Sequence, residues 1–530
     1  MILSTTPKLG IGIAALVAAL VISALAALLW QVPSFAIDQL WQDAYYRHVT
    51  WFSFYQAFLS TLLSVGLAIP VAHALNRRRF KGKDLLLKLF AMTLVLPVLV
   101  GVFGLLAIYG NQGLLAKILG YWQIRLPFSI YGLNGILLAH VFFNLPYASR
   151  LLLQSLVAIP LEQHKLCAHL GMSSWQKFKW VEWPRLRQQL PHVASLVFML
   201  CFTSFATVMA LGGGPKATTI ELAIYQAIKF DFDLATGALL AIWQMLLCGL
   251  LYFSMQWFSR CLPATQGGDY PIQVWGGDTR LKQLWDGMWI GLVILLLIPP
   301  LLMVVLSGLN THLWQVLSSQ EFWLATAASF QVASVTGAIA LLSGCAIVMT
   351  SRHWRINQQP IKANSIEWIG TIILVTPGLV ISTGLFLLLR QTVDIFSMAY
   401  WLVVIVNSVM ALPYVIKTLS QPMLHLAQQY HLLCASLGLR GWQRLRLIEW
   451  RALKKPFAHA FIISFLVSMG DLSAVALFGS QQFRTLPLYL YQLMGSYQMQ
   501  AAAVLSLALL VFSVGLYYGV ERLLQIKQRE

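Results

Sequence analysis

The residue best suited by its type and position to bind a solute is Asp471, which lies in the apolar run "SFLVSMGDLSAVALFG". An ionised carboxylate inside a membrane-spanning segment is energetically expensive, so such a residue is by default a functional hypothesis. A carboxylate in this position could attract a cationic solute. It could equally accept hydrogen bonds from neighbouring helices. The sequence leaves both interpretations open.

The sequence lacks the usual patterns of nucleotide binding, metal binding and catalysis. The nearest approach to the phosphate-binding pattern GxxxxGK[ST] is "GGGPKATT", from Gly212 to Thr219, which lacks the final Gly-Lys-Ser/Thr. The six cysteines contain no CxxC spacing, and the eleven histidines are scattered along the chain. We therefore expect no catalytic residue, no cofactor and no metal site, and we interpret GGGPKATT as a turn.

Composition indicates the environment of the chain. Of 530 residues, 58% are hydrophobic and 10% charged, and the mean hydropathy is +0.72. Soluble domains carry about 25% charged residues, so the chain is predicted to be a polytopic membrane protein. A spanning helix needs about 20 apolar residues. Twelve runs qualify, the first of them as an uncleaved span: 10–30, 51–75, 86–109, 131–155, 191–212, 235–258, 287–308, 324–349, 366–390, 398–420, 456–478 and 500–521.

The basic residues predict the orientation. Cytoplasmic loops of membrane proteins carry an excess of Lys and Arg. If both termini are cytoplasmic, 29 of the 36 basic residues lie inside and seven outside, namely Arg47, Lys117, Arg125, Lys216, Lys229, Arg390 and Arg484. The net charge of +18 therefore reflects topology and gives no support to nucleic-acid binding.

Two basic, tryptophan-rich segments repeat one polar pattern: "LGMSSWQKFKWVEWPRL" at 170–186 and "LGLRGWQRLRLIEWRAL" at 437–453. The same offset of 267 residues aligns Leu145-Pro146-Tyr147 with Leu412-Pro413-Tyr414. The chain therefore consists of two homologous halves, 1–258 and 287–530, joined by a cytoplasmic linker at 259–286. With about six spans each, the halves are parallel repeats, and the transport pathway is expected between them.

The alignment of the two halves also allows the candidate path residues to be compared. Asp471 aligns with Ser204, so the carboxylate occurs in one half only. Pro97 and Pro377 are predicted to lie in the middle of a span in their respective halves. Such prolines mark kinks beside a translocation path, or bends that serve helix packing.

The repeated segments are too polar to span a membrane. One interpretation is an interfacial helix whose tryptophans and lysines contact lipid headgroups. Gly171 and Gly438 favour a second interpretation. Glycine within a helical segment lowers helix stability by about 1 kcal/mol relative to alanine, so it is expected where the chain must turn. Two short helices meeting at each glycine would form an exposed knob, and a duplicated knob suits a two-fold partner.

The residues around each glycine resemble the EAA loop of ABC-importer permeases. That loop contains small residues, a glycine, nine further residues and then an apolar-any-apolar-Pro pattern. The resemblance implies that two groups of residues dock ATPase subunits: Cys167, Ala168, Gly171 and Met172 in the first copy, and Cys434, Ala435, Gly438 and Leu439 in the second. Three positions depart from the family pattern: Lys165 and Leu432 replace its Glu, and Arg451 replaces its final Pro in the second copy.

Further strings resemble the permeases of bacterial thiamine and thiamine phosphate importers, namely "AMTLVLPVLV", "FNLPYASRLLLQSL", "ALGGGPKATTIELAIYQA" and "FRTLPLYLYQ". The resemblance covers nearly the whole chain. It implies an all-α type I ABC-importer permease in the bacterial inner membrane, working by alternating access. It also implies two copies of a separate ATPase, a periplasmic solute-binding protein and thiamine as solute. Iron(III) or another small cation is the alternative solute, and a secondary transporter is the alternative class.

Overall fold

The computed structural model of the protein describes residues 6–32, 41–93, 95–124, 128–212, 214–258, 279–371, 376–439, 443 and 445–526. Within these ranges the regular structure is helical, with no β-strand. The predicted all-α class is therefore confirmed. Most of the predicted linker, 259–278, lies outside the described residues.

The described part of the first half is built from helices of very different lengths. They are α1 (Thr6–Gln31), α2 (Ala44–Arg77), α3 (Lys83–Met92), α4 (Val98–Tyr109), α5 (Leu114–Tyr121), α6 (Leu133–Val157), α7 (Leu161–His169), α8 (Ser174–Lys177), α9 (Trp183–Phe202), α10 (Phe205–Leu211), α11 (Ile220–Lys229) and α12 (Leu234–Phe258). A π-helical turn, Phe178–Glu182, joins α8 to α9.

The second half repeats this order with fewer short pieces. It contains α13 (Arg280–Gly308), α14 (Leu313–Ser318), α15 (Gln320–Ile356), α16 (Pro360–Thr371), α17 (Gly378–Leu389), α18 (Ala399–Ser436), α19 (Trp450–Gly470), α20 (Ser473–Phe478), α21 (Leu486–Gly495) and α22 (Met499–Ile526). A π-helical turn, Leu445–Glu449, precedes α19 and corresponds to the turn before α9.

Ten helical stretches are long and apolar enough to cross a membrane, by length and composition. The pair α9 and α10, bent by 52° at its break, would make an eleventh. Twelve continuous spans, as predicted, are not found in the described part of the chain. Four predicted spans are interrupted: 86–109 divides into α3 and α4, 191–212 into α9 and α10, 366–390 into α16 and α17, and 456–478 into α19 and α20.

Prolines lie at two of these interruptions, in 86–109 and 366–390. Pro97 is the N-cap of α4, and Pro377 is the N-cap of α17. A proline ring disfavours helical backbone at the preceding residue, so a helix that would include both sides is broken. These prolines therefore begin helices, which corrects the expectation that they lie within continuous spans. Pro146 and Pro413, by contrast, are inside α6 and α18.

The chain divides into two packed units, each assembled from separate segments. The N-terminal unit comprises Asp38–Leu222 and Leu247–Leu309, and the C-terminal unit comprises Met1–Ile37, Ala223–Leu246 and Asn310–Glu530. These units differ from the sequence halves in two respects. The segment Ala223–Leu246 of the first half belongs to the C-terminal unit. The first helix of each half, α1 or α13, belongs to the unit formed mostly by the other half.

In the C-terminal unit, α1 packs against α15 and α17. Glycines permit the close approach: a Cβ on Gly10 would overlap Thr350, and one on Gly384 would overlap the backbone of Ala24. The surrounding core is formed by buried residues that include Ala14, Ile347, Val415, Leu419 and Leu453. The chain's first helix is thus an integral part of this unit.

In the N-terminal unit, α13 packs against α2 and α4. A Cβ on Gly104 would overlap the carbonyl oxygen of Pro300, so this contact also depends on glycine. At the other end of α13, Arg78 Nε donates to Oδ2 of the fully buried Asp286 at 2.6 Å. Since α13 begins at Arg280, residues 280–286 of the predicted linker are helical; Asp286 is buried, whereas Leu281 and Leu284 are exposed.

Candidate coupling site

The four predicted docking residues of the first copy form one helix C-terminus. Gly171, with φ of +60°, follows α7 in the left-handed conformation that glycine adopts without strain. The N–H of Met172 donates to the carbonyl of Cys167 at 3.0 Å, and that of Gly171 to Ala168 at 3.1 Å. This is a Schellman-type cap, which satisfies carbonyls at the helix end.

The second copy makes the same turn at the end of α18. Gly438 has φ of +63°, and the N–H of Leu439 donates to the carbonyl of Cys434 at 2.9 Å. Ala435 lies in the last turn of α18, and its side chain is outside the described residues, as are residues 440–442 and 444. The structure therefore brings the predicted residues together in both halves.

Each turn has a buried side and an exposed apolar side. The side chains of Cys167 and Cys434 are buried. Leu170 and its repeat mate Leu437 are both 62% exposed. Leu166 and Leu433, one turn earlier, are also exposed and are likewise related by the offset of 267. The predicted knob thus has an apolar outer surface. These leucines were not predicted, because the sequence does not reveal which side of a turn faces outward.

After the first turn, Ser173 and Gln176 form a reciprocal capping box that begins α8. The aromatic side chain of Phe178 then stacks on Trp175 at 5.7 Å between ring centroids. Both copies continue through a π-helical turn, an arrangement frequent at functional sites. The exposed tryptophans Trp175 and Trp180 extend this surface in the first copy.

A buried histidine, His164, lies on α7 three positions before the first docking turn, Cys167–Met172; the second docking turn is Cys434–Leu439. Neither ring nitrogen of His164 has a hydrogen-bond partner among the described residues. Burial lowers the pKa of His164, the charge of Lys177 lowers it further, and Glu182 opposes the shift only in part. The ring is therefore neutral near pH 7. The repeat places His431 at the equivalent sequence position.

Asp471, the other prominent candidate, lies at a helix break. It follows α19, and its carboxylate accepts hydrogen bonds from Ser473 Oγ at 2.7 Å and from the N–H groups of Ser473 and Ala474 at 3.2 Å. The equivalent break in the first half falls between α9 and α10, where Ser204 Oγ lies 2.8 Å from His140 Nε2. Asp471 thus interacts with its own following helix, and its place in a solute path stays a prediction.

The two segments beyond these breaks share another arrangement that the sequence analysis did not identify. The N–H of Ile220, at the start of α11, donates to Ser53 Oγ on α2 at 3.0 Å. The N–H of Leu486, at the start of α21, donates to Ser329 Oγ on α15 at 2.7 Å. Between α10 and α11, Pro215–Ala217 form a single 3-10 turn. His48 Nε2 lies 3.1 Å from the carbonyl oxygen of Lys216 in this turn. GGGPKATT is thus a turn in its described part; Gly213 lies outside it.

Across the described ranges, no group of three or more His, Cys, Asp or Glu side chains is placed to hold a metal ion. The arrangement therefore offers two matched apolar turns on a helical membrane scaffold.

Comparison with known proteins identifies the class of this scaffold. Residues 343–525, which include the second docking turn, match the profile of a family described as binding-protein-dependent transport system inner membrane component. This places the second half among the membrane permeases of importers that work with binding proteins. The matched region contains the second of the two segments that resemble the EAA loop, 437–453.

Whole-chain relatives are more specific. The thiamine transport system permease protein ThiP of Escherichia coli (strain K12) is 48% identical over 517 residues, 97% of this chain and 96% of the relative. ThiP of Haemophilus influenzae is 42% identical over 474 residues, 87% of this chain and 86% of the relative. A Fe(3+)-transport system permease protein, FbpB 2 of Haemophilus influenzae, is 22% identical over 458 residues, 86% of this chain and 85% of the relative. The chain belongs to the family of thiamine transport system permease proteins.

Proposed function

We propose that this chain is the membrane permease of an ATP-driven importer and that its solute is thiamine or a thiamine phosphate. The observation that carries the proposal is the 48% identity, over 97% of the chain, to a relative named as a thiamine transport permease. The iron(III) alternative rests on a relative with 22% identity and is correspondingly weaker. The chain itself performs no chemistry on the solute.

The energy source is proposed to be a separate ATPase, with one copy docked on each of the two turns. The support is the matched geometry: a left-handed glycine, a cap of the same type and an exposed leucine at the same repeat position in each half. The distribution of Lys and Arg favours a cytoplasmic location for these turns and for both termini. A periplasmic solute-binding protein would deliver the solute from the opposite side.

The transport cycle is proposed to be alternating access. ATP binding would draw the two docked ATPase subunits together, move the two turns and switch the permease between inward-open and outward-open states. Asp471, Pro97 and Pro377 remain the candidate path residues. The supporting observation is that each lies at a break in an otherwise helical run, where transporters commonly form substrate sites.

Uptake of radiolabelled thiamine tests this function directly. We expect uptake at low concentration to disappear when the gene is deleted and to return when it is restored. Excess unlabelled thiamine should compete, whereas iron(III) should not. Unchanged uptake after deletion would reject thiamine as the solute, and competition by iron(III) would favour the alternative.

A further inference from the structure

Each repeated segment buries one glutamate just after its docking turn. Glu182 is 1% exposed and Glu449 is 3% exposed, and both close a π-helical turn immediately before the long helices α9 and α19. The two residues are related by the repeat offset of 267. Burying a carboxylate is costly unless it is paired, so each side chain should have a charged partner.

The partner of Glu182 comes from α2. His73 Nδ1 lies 2.9 Å from Glu182 Oε2, and Lys177 Nζ lies 3.7 Å from Glu182 Oε1. The His73 ring also contacts the ring of Phe178 edge-on, with 5.0 Å between centroids. The first repeated segment therefore contacts α2 through the Glu182–His73 pair and through ring packing.

The partner of Glu449 comes from α15, the equivalent helix of the second half. Arg352 Nη1 lies 3.0 Å from Glu449 Oε1, and both side chains are almost completely buried. His73 precedes the last residue of α2, Arg77, by four positions, and Arg352 precedes the last residue of α15, Ile356, by the same number. The two pairs thus lie near the same end of corresponding helices, with a different basic side chain in each.

We propose that the pairs Glu182–His73 and Glu449–Arg352 are the contacts that transmit movement of the docking turns to α2 and α15. This inference rests on the proposed function, in which the turns receive the ATPase. The docking turn is otherwise an exposed apolar surface that ends one helix and begins another. A buried polar contact of this kind restrains the distance between that segment and the long helix, so a displacement of the turn is imposed on the helix. Glu182 and Glu449 act as positioning residues and touch neither solute nor nucleotide.

A purely structural role would give a different result from transmission. If the pairs only stabilise the local fold, breaking them lowers stability or releases the ATPase. If they transmit movement, the ATPase stays bound and hydrolyses ATP, but hydrolysis no longer drives uptake. The ratio of solute transported to ATP hydrolysed therefore separates the two roles.

The experiment uses the full complex with its ATPase and binding protein, reconstituted in lipid vesicles. Glu182→Gln, Glu449→Gln and the double variant keep side-chain shape and remove the charge. We expect each to retain the ATPase subunit and to lower thiamine uptake per ATP by at least about fivefold, the low end of typical coupling between linked sites. The charge exchange Arg352→Glu with Glu449→Arg should recover uptake per ATP relative to Glu449→Gln.

The matched control is Glu367→Gln. Glu367 on α16 pairs with Arg355 at 3.2 Å near the same end of α15 but lies outside the repeated segment. Its substitution should leave uptake per ATP unchanged. An unchanged ratio in the Glu182 and Glu449 variants, loss of the ATPase subunit from them, or no recovery in the charge exchange would each overturn the proposal.

A second measurement separates failure of this inference from failure of the proposed solute. Stimulation of ATP hydrolysis by the binding protein requires coupling through the permease but does not depend on thiamine being carried. If the unmutated complex is stimulated without moving thiamine, the proposed solute is wrong. The role of the two pairs is then tested by stimulation of ATP hydrolysis alone. The glutamine variants should lose this stimulation, and the charge exchange should regain it.

Discussion

At the scale of single residues, local contacts decide what a conspicuous side chain does. Asp471 stands out in the sequence as a carboxylate in an apolar run, but its oxygens accept three hydrogen bonds from the start of α20. Such bonds satisfy N–H groups that a helix start leaves open. The structure therefore gives Asp471 a local role in addition to the path role proposed from its charge.

Substitutions at Asp471 should separate these roles. Asp471→Ala removes the cap and should lower the free energy of unfolding by about 0.5–2 kcal/mol. Asp471→Asn keeps an acceptor, so we expect near-normal thermal stability but reduced thiamine uptake, because the negative charge is lost. Thermal unfolding of the purified protein and cellular uptake measure the two effects. Ser204→Ala is the control at the equivalent break, and full uptake by Asp471→Asn would restrict Asp471 to capping.

At the scale of elements, each docking turn depends on a glycine in the left-handed conformation. A Cβ at Gly171 or Gly438 would meet no heavy atom within 4 Å, so both positions are open toward their surroundings. A side chain placed there would project from the turn rather than into the core. The adjoining exposed leucines, Leu170 and Leu437, make this surface suitable for an apolar partner.

The double variant Gly171→Asp and Gly438→Asp tests the docking surface. Asp adopts the left-handed region at modest cost, so we expect the chain to insert in the membrane. Two new carboxylates on an apolar docking surface should abolish co-purification of the ATPase, since a desolvated, unpaired charge is unfavourable in an interface.

The matched variant for this test is Gly171→Asn with Gly438→Asn. It has similar shape and backbone tolerance without charge, and it should retain more of the ATPase. Retention of the full amount of ATPase by the Asp variant would contradict the assignment of these turns as docking sites.

At the scale of the whole molecule, the two halves exchange their first helices. α1 packs with α15 and α17 in the C-terminal unit, and α13 packs with α2 and α4 in the N-terminal unit. The buried pair of Arg78 and Asp286 holds one end of α13 in place. Each half thus completes the unit built mainly by the other, which makes the halves interdependent without relying on the peptide link between them.

Dividing the chain within 259–278 tests this exchange. Two co-expressed pieces, each containing one sequence half, should associate in the membrane and restore at least part of the thiamine uptake, because each supplies a helix to the other's unit. Co-purification through a tag on one piece measures the association. Removing Thr6–Gln31 from the first piece should weaken the association of the two pieces. If the intact pieces fail to co-purify, the exchanged helices do not hold the halves together.

The sequence by itself determined the membrane environment of the helices, the repeat and the positions of the two glycine turns. Apolar length predicts spans because lipid forces backbone groups to pair within a helix, and Gly171 and Gly438 are readable because few other residues adopt their conformation without strain. The family likewise follows from motifs that lie contiguously in the chain.

Only the tertiary structure decided the partners of the buried charges and the exchange of α1 and α13. His73 and Glu182 are separated by 109 positions, and Arg352 and Glu449 by 97, so no local pattern connects them. The packing of α1 or α13 depends on glycine contacts with distant helices, which hydropathy does not encode. Such choices are made by complementary shape and by the cost of leaving a buried charge unpaired, and both become defined only when the helices assemble.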